Sequence, residues 1–269
     1  MDRDLYAELH ENETRAYLER IGLPADSSLY REKSQLNRLI FAHQCAVPFE
    51  NLDITELGLL PSLAVPALFA KIVTRRRGGY CFELNALFYS LLRALGHEAY
   101  PCLARVMRDA DYPPPPLHRA TIVRTGGQLL FCDVGFGGPM PGTALTIVPE
   151  QPQISGGDTF CFTGADGGWI LHRRTHGLFS PLLSIDARPC LPVDFLPPHE
   201  YCALSPASFF RQNRVVNIRR PHGAVTLRNS ALTVTENGET TESFVATRRA
   251  LYDVLEDSFG LSLPLESNG

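Results

Sequence analysis

Three residue types that together make a thiol reactive occur here at spacings the local pattern can bring together: Cys81, His118 and Asp133. Cys81 lies in the segment Arg77-Gly78-Gly79-Tyr80-Cys81-Phe82-Glu83-Leu84-Asn85. Two consecutive glycines permit a tight turn with positive φ, and the apolar repeat that follows reads as a helix, so Cys81 falls in its first turn. There the unpaired N–H groups and the positive end of the helix dipole favour a thiolate. The same N–H groups can stabilise an oxyanion on a bound acyl group. Taken alone, such a cysteine reads more readily as a buried structural residue beside a helix cap.

His118 opens an apolar run that ends at the hairpin-type pair Gly126-Gly127, and Gln128 to Gly135 returns. With those glycines as a two-residue loop, Thr125 faces Gln128 and His118 faces Gly135. Asp133 is then the diagonal neighbour of His118 on the same face, roughly 7–8 Å away, which a carboxylate and an imidazole can span. A loop one residue longer would put them on opposite faces. A carboxylate in an otherwise apolar strand is costly unless paired, and His118 is the partner at hand. The three residues supply nucleophile, base and orienter for acyl transfer.

The elements that must position them follow from periodicity. Up to about residue 97 the chain reads as mainly helical: Leu5–Ile21, Tyr30–Ala46 with Leu36, Leu39, Ile40 and His43 on one stripe, Val65–Val73, and Tyr80–Leu95, where Leu84, Leu87, Phe88, Leu91, Leu92 and Leu95 recur at helical spacing before Gly96. From Glu98 to about Ile185, short β-branched and aromatic runs alternate with turn residues, the pattern of a sheet or small barrel. Beyond Pro197-Pro198 the spacing predicts strands at Val215–Ile218, Ala224–Leu227 and Ala231–Thr235, and a closing helix over Thr241–Leu255. Pro113 to Pro116 is a stiff extended loop just before His118.

The 269 residues suffice for a large core; 44% are hydrophobic and 20% charged, the balance of a globular protein. A net charge of −4 argues against a nucleic-acid partner, which needs a basic face. The most apolar stretch, Leu57 to Ala70, is interrupted by Pro61 and Pro66 and is short of the roughly 20 residues a membrane span needs; the start of the chain is charged and reads as no signal peptide. Seven cysteines with no CxxC spacing argue against a disulfide framework or zinc site and for a reducing cytoplasm, with Cys102, Cys132 and Cys161 as small buried hydrophobes. No HExxH, Walker-type or GxSxG segment is present, so no metal or bound nucleotide is implied.

At these residues the sequence resembles the arylamine N-acetyltransferase family. The segment from Arg77 to Asn85 is similar to that family's RGG-aromatic-Cys motif, His118 and Asp133 match its catalytic histidine and aspartate in order and spacing, and Asp133 opens the family-like DVGFG. Val47-Pro48-Phe49-Glu50-Asn51-Leu52 and Pro206-Ala207-Ser208-Phe209-Phe210-Arg211 resemble two further family blocks, so the likeness spans roughly residues 12 to 258. It implies an α+β protein with a papain-like Cys-His-Asp triad: an N-terminal helical bundle (1–97), a central β-barrel-like domain (98–197) and a C-terminal α/β lid (198–269). It implies ping-pong transfer from acetyl-CoA through a Cys81 thioester to an arylamine, hydrazine or N-hydroxyarylamine, with no resident cofactor, in a cytoplasmic monomer or homodimer. By motif position, Phe49, Phe136 and Phe210 would line the acceptor pocket, and Arg77 would pair with Glu50. The chain departs from the pattern in Arg-Ala-Thr after His118, in Leu204-Ser205-Pro206, in the proline run, and in His199 where an asparagine is usual. Macrolactam-forming amide synthases of polyketide pathways share the triad, and a thiol hydrolase would too; a non-catalytic binding protein would not need all three residues.

Overall fold

The structure, a computed structural model, describes residues 3–107 and 112–262. The first expected helix is broken. A 3₁₀ turn at Arg3–Tyr6 precedes α1 (Glu11–Arg20), which starts at His10, whose amide donates to the Glu13 carboxylate at 2.9 Å. That reciprocal cap lets Leu5 and Leu9 enter the core from outside the helix. α2 is Leu36–Ala46, shorter than the span from Tyr30: Asp26 caps a 3₁₀ turn at Ser27–Tyr30 by accepting from Ser28 N at 3.0 Å, and the polar residues 31–34 are exposed and bury no face that would hold a helix. The expected stripe of Leu36, Leu39, Ile40 and His43 is fully buried.

A two-residue strand, β1 (Phe49–Glu50), leads into α3 (Leu52–Thr55). α4 (Val65–Phe69) runs into a π-helical turn at Ala70–Thr74, closed by Arg75 N on Ala70 O at 2.9 Å, and this wider turn carries Lys71 inward. α5 (Cys81–Ala94) is buried on nearly every side, including the polar Glu83 and Asn85, which therefore need partners inside the protein.

Eight antiparallel strands follow: β2 (Glu98–Val106), β3 (His118–Thr125), β4 (Gln128–Cys132), β5 (Leu145–Thr146), β6 (Gln153–Ser155), β7 (Asp158–Ala165), β8 (Gly168–Thr175) and β9 (Leu178–Asp186). Their order is β5-β4-β3-β2-β9-β8-β7-β6. The β3–β4 hairpin has the register expected of a two-residue loop, from Thr125 opposite Gln128 to Thr121 opposite Cys132, with Gly126 and Gly127 at φ 55° and 74°. Inside, Ile122, Phe131, Phe160, Phe162 and Leu171 pack with Cys102. The edge strands β5 and β6 do not pair backbone to backbone. Gln153 joins them: its Oε1 accepts from Thr146 N at 2.8 Å and its Nε2 donates to Thr146 O at 2.7 Å, as a strand's own amide would.

After a 3₁₀ turn at Pro192–Phe195 come α6 (Leu196–Leu204), α7 (Phe209–Gln212), β10 (Val215–Arg220), β11 (Gly223–Arg228), β12 (Ala231–Glu236), β13 (Glu239–Phe244) and α8 (Arg248–Phe259). The closing helix predicted over Thr241–Leu255 is therefore corrected. Asn237-Gly238, both at positive φ, turn β12 into β13, and the helix starts only at Thr247, whose Oγ1 accepts from Ala250 N at 3.1 Å. This second sheet has the order β1-β10-β11-β12-β13, so the helical region supplies its first strand, with Phe49 opposite Asn217. α8 covers one of its faces, burying Val216, Val225 and Leu227 against Leu251, Leu255 and Phe259. Among the described residues no helix is long and apolar enough to cross a membrane.

Gln153→Ala should open the β5–β6 seam. The loss of two amide hydrogen bonds predicts about 1–3 kcal/mol lower stability, read as a lower urea midpoint with the slope unchanged.

Candidate active site

The start of α5 is held in the interior by backbone contact and buried charge. Gly78 passes so close to the preceding strand that a Cβ there would sit 2.0 Å from Pro48 O, and Glu50 N donates to Gly79 O at 2.8 Å. Arg77 donates from Nε and Nη2 to Glu50 Oε1 at 3.1 and 2.8 Å, and from Nη2 to Asp53 at 2.8 Å. Lys71 bridges Asp53 and Glu83 at 2.8 and 2.7 Å. Glu83 Oε2 accepts from Tyr80 N, the residue before Cys81, at 3.1 Å. Two cations thus hold three carboxylates, and burial pushes the Glu83 carboxyl up to about 7 against the pull of Lys71. Breaking such a buried set from one side costs about 3–5 kcal/mol.

Cys81 is the first residue of α5 and 2% exposed. Burial pushes its thiol well up; the Arg119 and Phe82 backbone amides pull the other way. An isolated thiolate is therefore disfavoured, and the charged form requires a proton acceptor beside it. His118, at the start of β3, opens onto the same cavity. Its Nε2 donates to Asp133 Oδ2 at 2.7 Å, which leaves Nδ1 as the acceptor nitrogen. Asp133 Oδ1 accepts from Asn85 Nδ2 at 2.9 Å and from Gly135 N at 2.8 Å. Asn85 also donates to Arg119 O at 2.6 Å and accepts from Val134 N at 3.0 Å, so it ties the strand of the histidine to the segment after β4 that carries the aspartate. Asn85 is four residues beyond Cys81, on the same helix face, a spacing that could have singled it out.

These groups face a cavity of about 730 Å³. Phe49, Phe136 and Phe210 all line it. Phe136 stands edge-on to His118, 5.5 Å between centroids, and Phe49 lies 6.0 Å from Phe210. α7 presents Phe210 because Ser208 caps it and donates from Oγ to Cys202 O at 2.7 Å. His199 is buried beneath: its Nε2 donates to Pro61 O at 2.8 Å and its Nδ1 meets the Tyr80 hydroxyl. Arg119 turns away from the cavity and lays its guanidinium over Phe195, 4.2 Å from the ring centroid. Sequence reasoning passed over Lys71, Asp53, Glu83 and Gln44; the last donates to both Asp133 O and Pro141 O at 2.9 Å. Among the described residues, no group of three or more His, Cys, Asp or Glu side chains is placed to hold a metal.

Residues 34–267 match the N-acetyltransferase family profile. The chain belongs to the arylamine N-acetyltransferase family. It is 32% identical over 261 residues, 95% of this chain and 89% of the other, to an arylamine N-acetyltransferase / N-hydroxyarylamine O-acetyltransferase of Salmonella typhimurium. A solved arylamine N-acetyltransferase from that organism superposes with a TM-score of 0.89 at 30% identity, over 96% of this chain and 94% of that one. The Mycobacterium marinum arylamine N-acetyltransferase in complex with CoA superposes with a TM-score of 0.84 at 27% identity, over 91% of each chain. The enzyme is thus an α+β acetyltransferase of this family.

Burial holds His199 neutral, its pKa pushed down from 6.5 to about 4. The unfolded chain takes up that proton near 6.5, so stability is lost as pH falls from 6.5 toward 4. His199→Asn should flatten this part of the profile, on the order of 3 kcal/mol, measured as the difference between wild-type and variant urea midpoints at pH 7 and pH 4.

Proposed function

We propose that Cys81 carries the acetyl group between acetyl-CoA and the nitrogen of an arylamine, hydrazine or N-hydroxyarylamine, in two half-reactions. In the first, His118 Nδ1 takes the Cys81 proton while the sulfur attacks the thioester carbonyl. The tetrahedral oxyanion collapses, the C–S bond to CoA breaks, and the imidazolium returns the proton to the departing CoA sulfur. In the second, the amine nitrogen attacks the acetyl-cysteine carbonyl, His118 takes the N–H proton, and Cys81 leaves as the thiol. Asp133 keeps the proton of the neutral ring on Nε2 and stabilises the imidazolium when it forms. The observation that carries this reading is the 2.7 Å His118–Asp133 contact opening with Cys81 onto one cavity.

Phe49, Phe136 and Phe210 supply apolar walls for a flat ring. Arg77 and Glu50 act one step back by holding the loop before Cys81. The same reading divides the chain at 97/98 and 197/198 into helical, barrel-like and lid regions, with β1 lent to the lid. A nucleophilic thiol of this kind suits a cytoplasmic setting, where thiols stay reduced.

Intact mass spectrometry after mixing with acetyl-CoA alone should show one added acetyl group, mapping to Cys81, that disappears when p-anisidine is supplied. Cys81→Ala should show none. No adduct on a thiol that still alkylates quickly would sink acetyl-CoA as the donor and point to a carrier-bound acyl chain. Asp133→Asn should lower kcat by about 10³–10⁴-fold with the fold intact; near-normal turnover would remove Asp133 from the mechanism.

A further inference from the structure

The lid sheet has two unlike faces. Side chains alternate along a strand, so while Val216, Ile218, Val225 and Leu227 pack in the core beneath α8, Asn217, Arg219, Thr226 and Arg228 turn the other way. All four of these line the cavity that holds Cys81 and His118. One wall of an otherwise aromatic pocket is therefore polar and cationic, and the aromatic part begins next door, since Phe49 on β1 stands opposite Asn217.

Among the described residues neither arginine is in a salt bridge, although Asp158 lies near enough for its charge to act on Arg219. Arg219 donates from Nη2 to Met140 O at 2.6 Å, but its Nε is buried without a partner. Among the described residues no carboxylate lies in salt-bridge reach of it. Gly142 and Gly156 leave the guanidinium its space: a Cβ on Gly156 would come within 2.7 Å of Nη1. Arg228 places its guanidinium over the Phe209 ring, 5.3 Å from the centroid, and among the described residues it too is in no salt bridge. Arg173, on the same cavity, differs in that Asp158 neutralises it at 2.9 Å. In a chain of net charge −4, two cations on one cavity wall that are held in no salt bridge among the described residues mark a place for an anionic ligand. The amine group that accepts the acetyl carries no negative charge for them to meet. Arg219 and Arg228 stand four positions apart along the β10–β11 ladder, about 13 Å at the rise of a strand. Anionic groups at separate points of one long ligand fit that spacing better than a single small ion.

We propose that Arg219 and Arg228 bind the phosphate groups of the acyl donor, across the cavity from the thiol its thioester must reach. This rests on the acetyl-CoA reading above. Asn217 and Thr226, joined by a 2.6 Å hydrogen bond between them, add neutral polar surface to the wall between the two cations.

The test compares two acetyl donors, acetyl-CoA and p-nitrophenyl acetate, which offers the same acetyl group without phosphate. Arg219→Met and Arg228→Met should each lower kcat/KM for acetyl-CoA by about tenfold or more, through KM, beyond any change seen with p-nitrophenyl acetate. Arg219→Lys should recover part of the loss, and raising the salt concentration should weaken acetyl-CoA use by the wild type more than by either Met variant. Equal effects on both donors, or none on either, would overturn the proposal while leaving the donor reading intact. A wild-type enzyme that takes acetyl from p-nitrophenyl acetate but not from acetyl-CoA would overturn both.

Discussion

A buried thiol keeps its proton, and most of this structure answers that constraint. Cys81 is placed at the start of a helix inside the protein, where water cannot stabilise a thiolate. Reactivity then depends on an acceptor that becomes charged in the same step, and on a second group that tolerates that charge. His118 and Asp133 have that relation, and Asn85 and the Gly135 amide hold the carboxylate so that it cannot swing away. The Lys71–Arg77–Glu50–Asp53–Glu83 set does the corresponding work on the other side of Cys81, fixing the loop and the first turn of α5. A network of this kind is a poor source of net stability; its value here is a single geometry for the sulfur.

The site has three sources. The helices bring Cys81, the hairpin of the barrel brings His118 and Asp133, and the segment after α6 brings Phe210. Contacts between these regions are strong at the site itself. Asn51, in the helical region, donates to the carbonyls of Phe210 and Asn213 and accepts from Val215 N, and Gln44 spans to the Asp133 and Pro141 carbonyls. The cavity walls therefore belong to one packed body, with the lid sheet continuous with β1.

The parts of this arrangement legible in the sequence were those set by local rules. The Gly126-Gly127 pair dictates turn type and turn type dictates register, which was readable; the ladder ends at Thr121 opposite Cys132, so the expected pairing of His118 with Gly135 does not form and His118 meets Asp133 just beyond the end of β4. The helix beginning at Cys81 was readable because its apolar repeat is long and sharply ended by Gly96. What escaped has a non-local cause. Lys71 sits in an apolar run and shows its role only once Asp53 and Glu83 are folded against it. The break in the first expected helix comes from the His10–Glu13 cap, which apolar periodicity does not register. β13 was misassigned as helix although Asn237-Gly238 and Thr247 both carried the correct signals, because polar Glu239–Phe244 is an exposed edge strand with no alternation to find. The closure of the barrel by Gln153 had no signal, since nothing in its neighbourhood says that a carboxamide will replace a strand.

The place of β1 bears on how the protein is made. Phe49 and Glu50 leave the ribosome long before their partners Asn217 and Val216. Until β10 emerges, the aromatic wall formed by Phe49 has no sheet to belong to, and the cavity lacks one side. A nascent chain can form its helices and much of its barrel first, yet it carries a cysteine without a finished pocket until β10 has been made. The order of translation thus delays assembly of the acceptor pocket until after the barrel, and pairing over so long a stretch of chain is intrinsically slow.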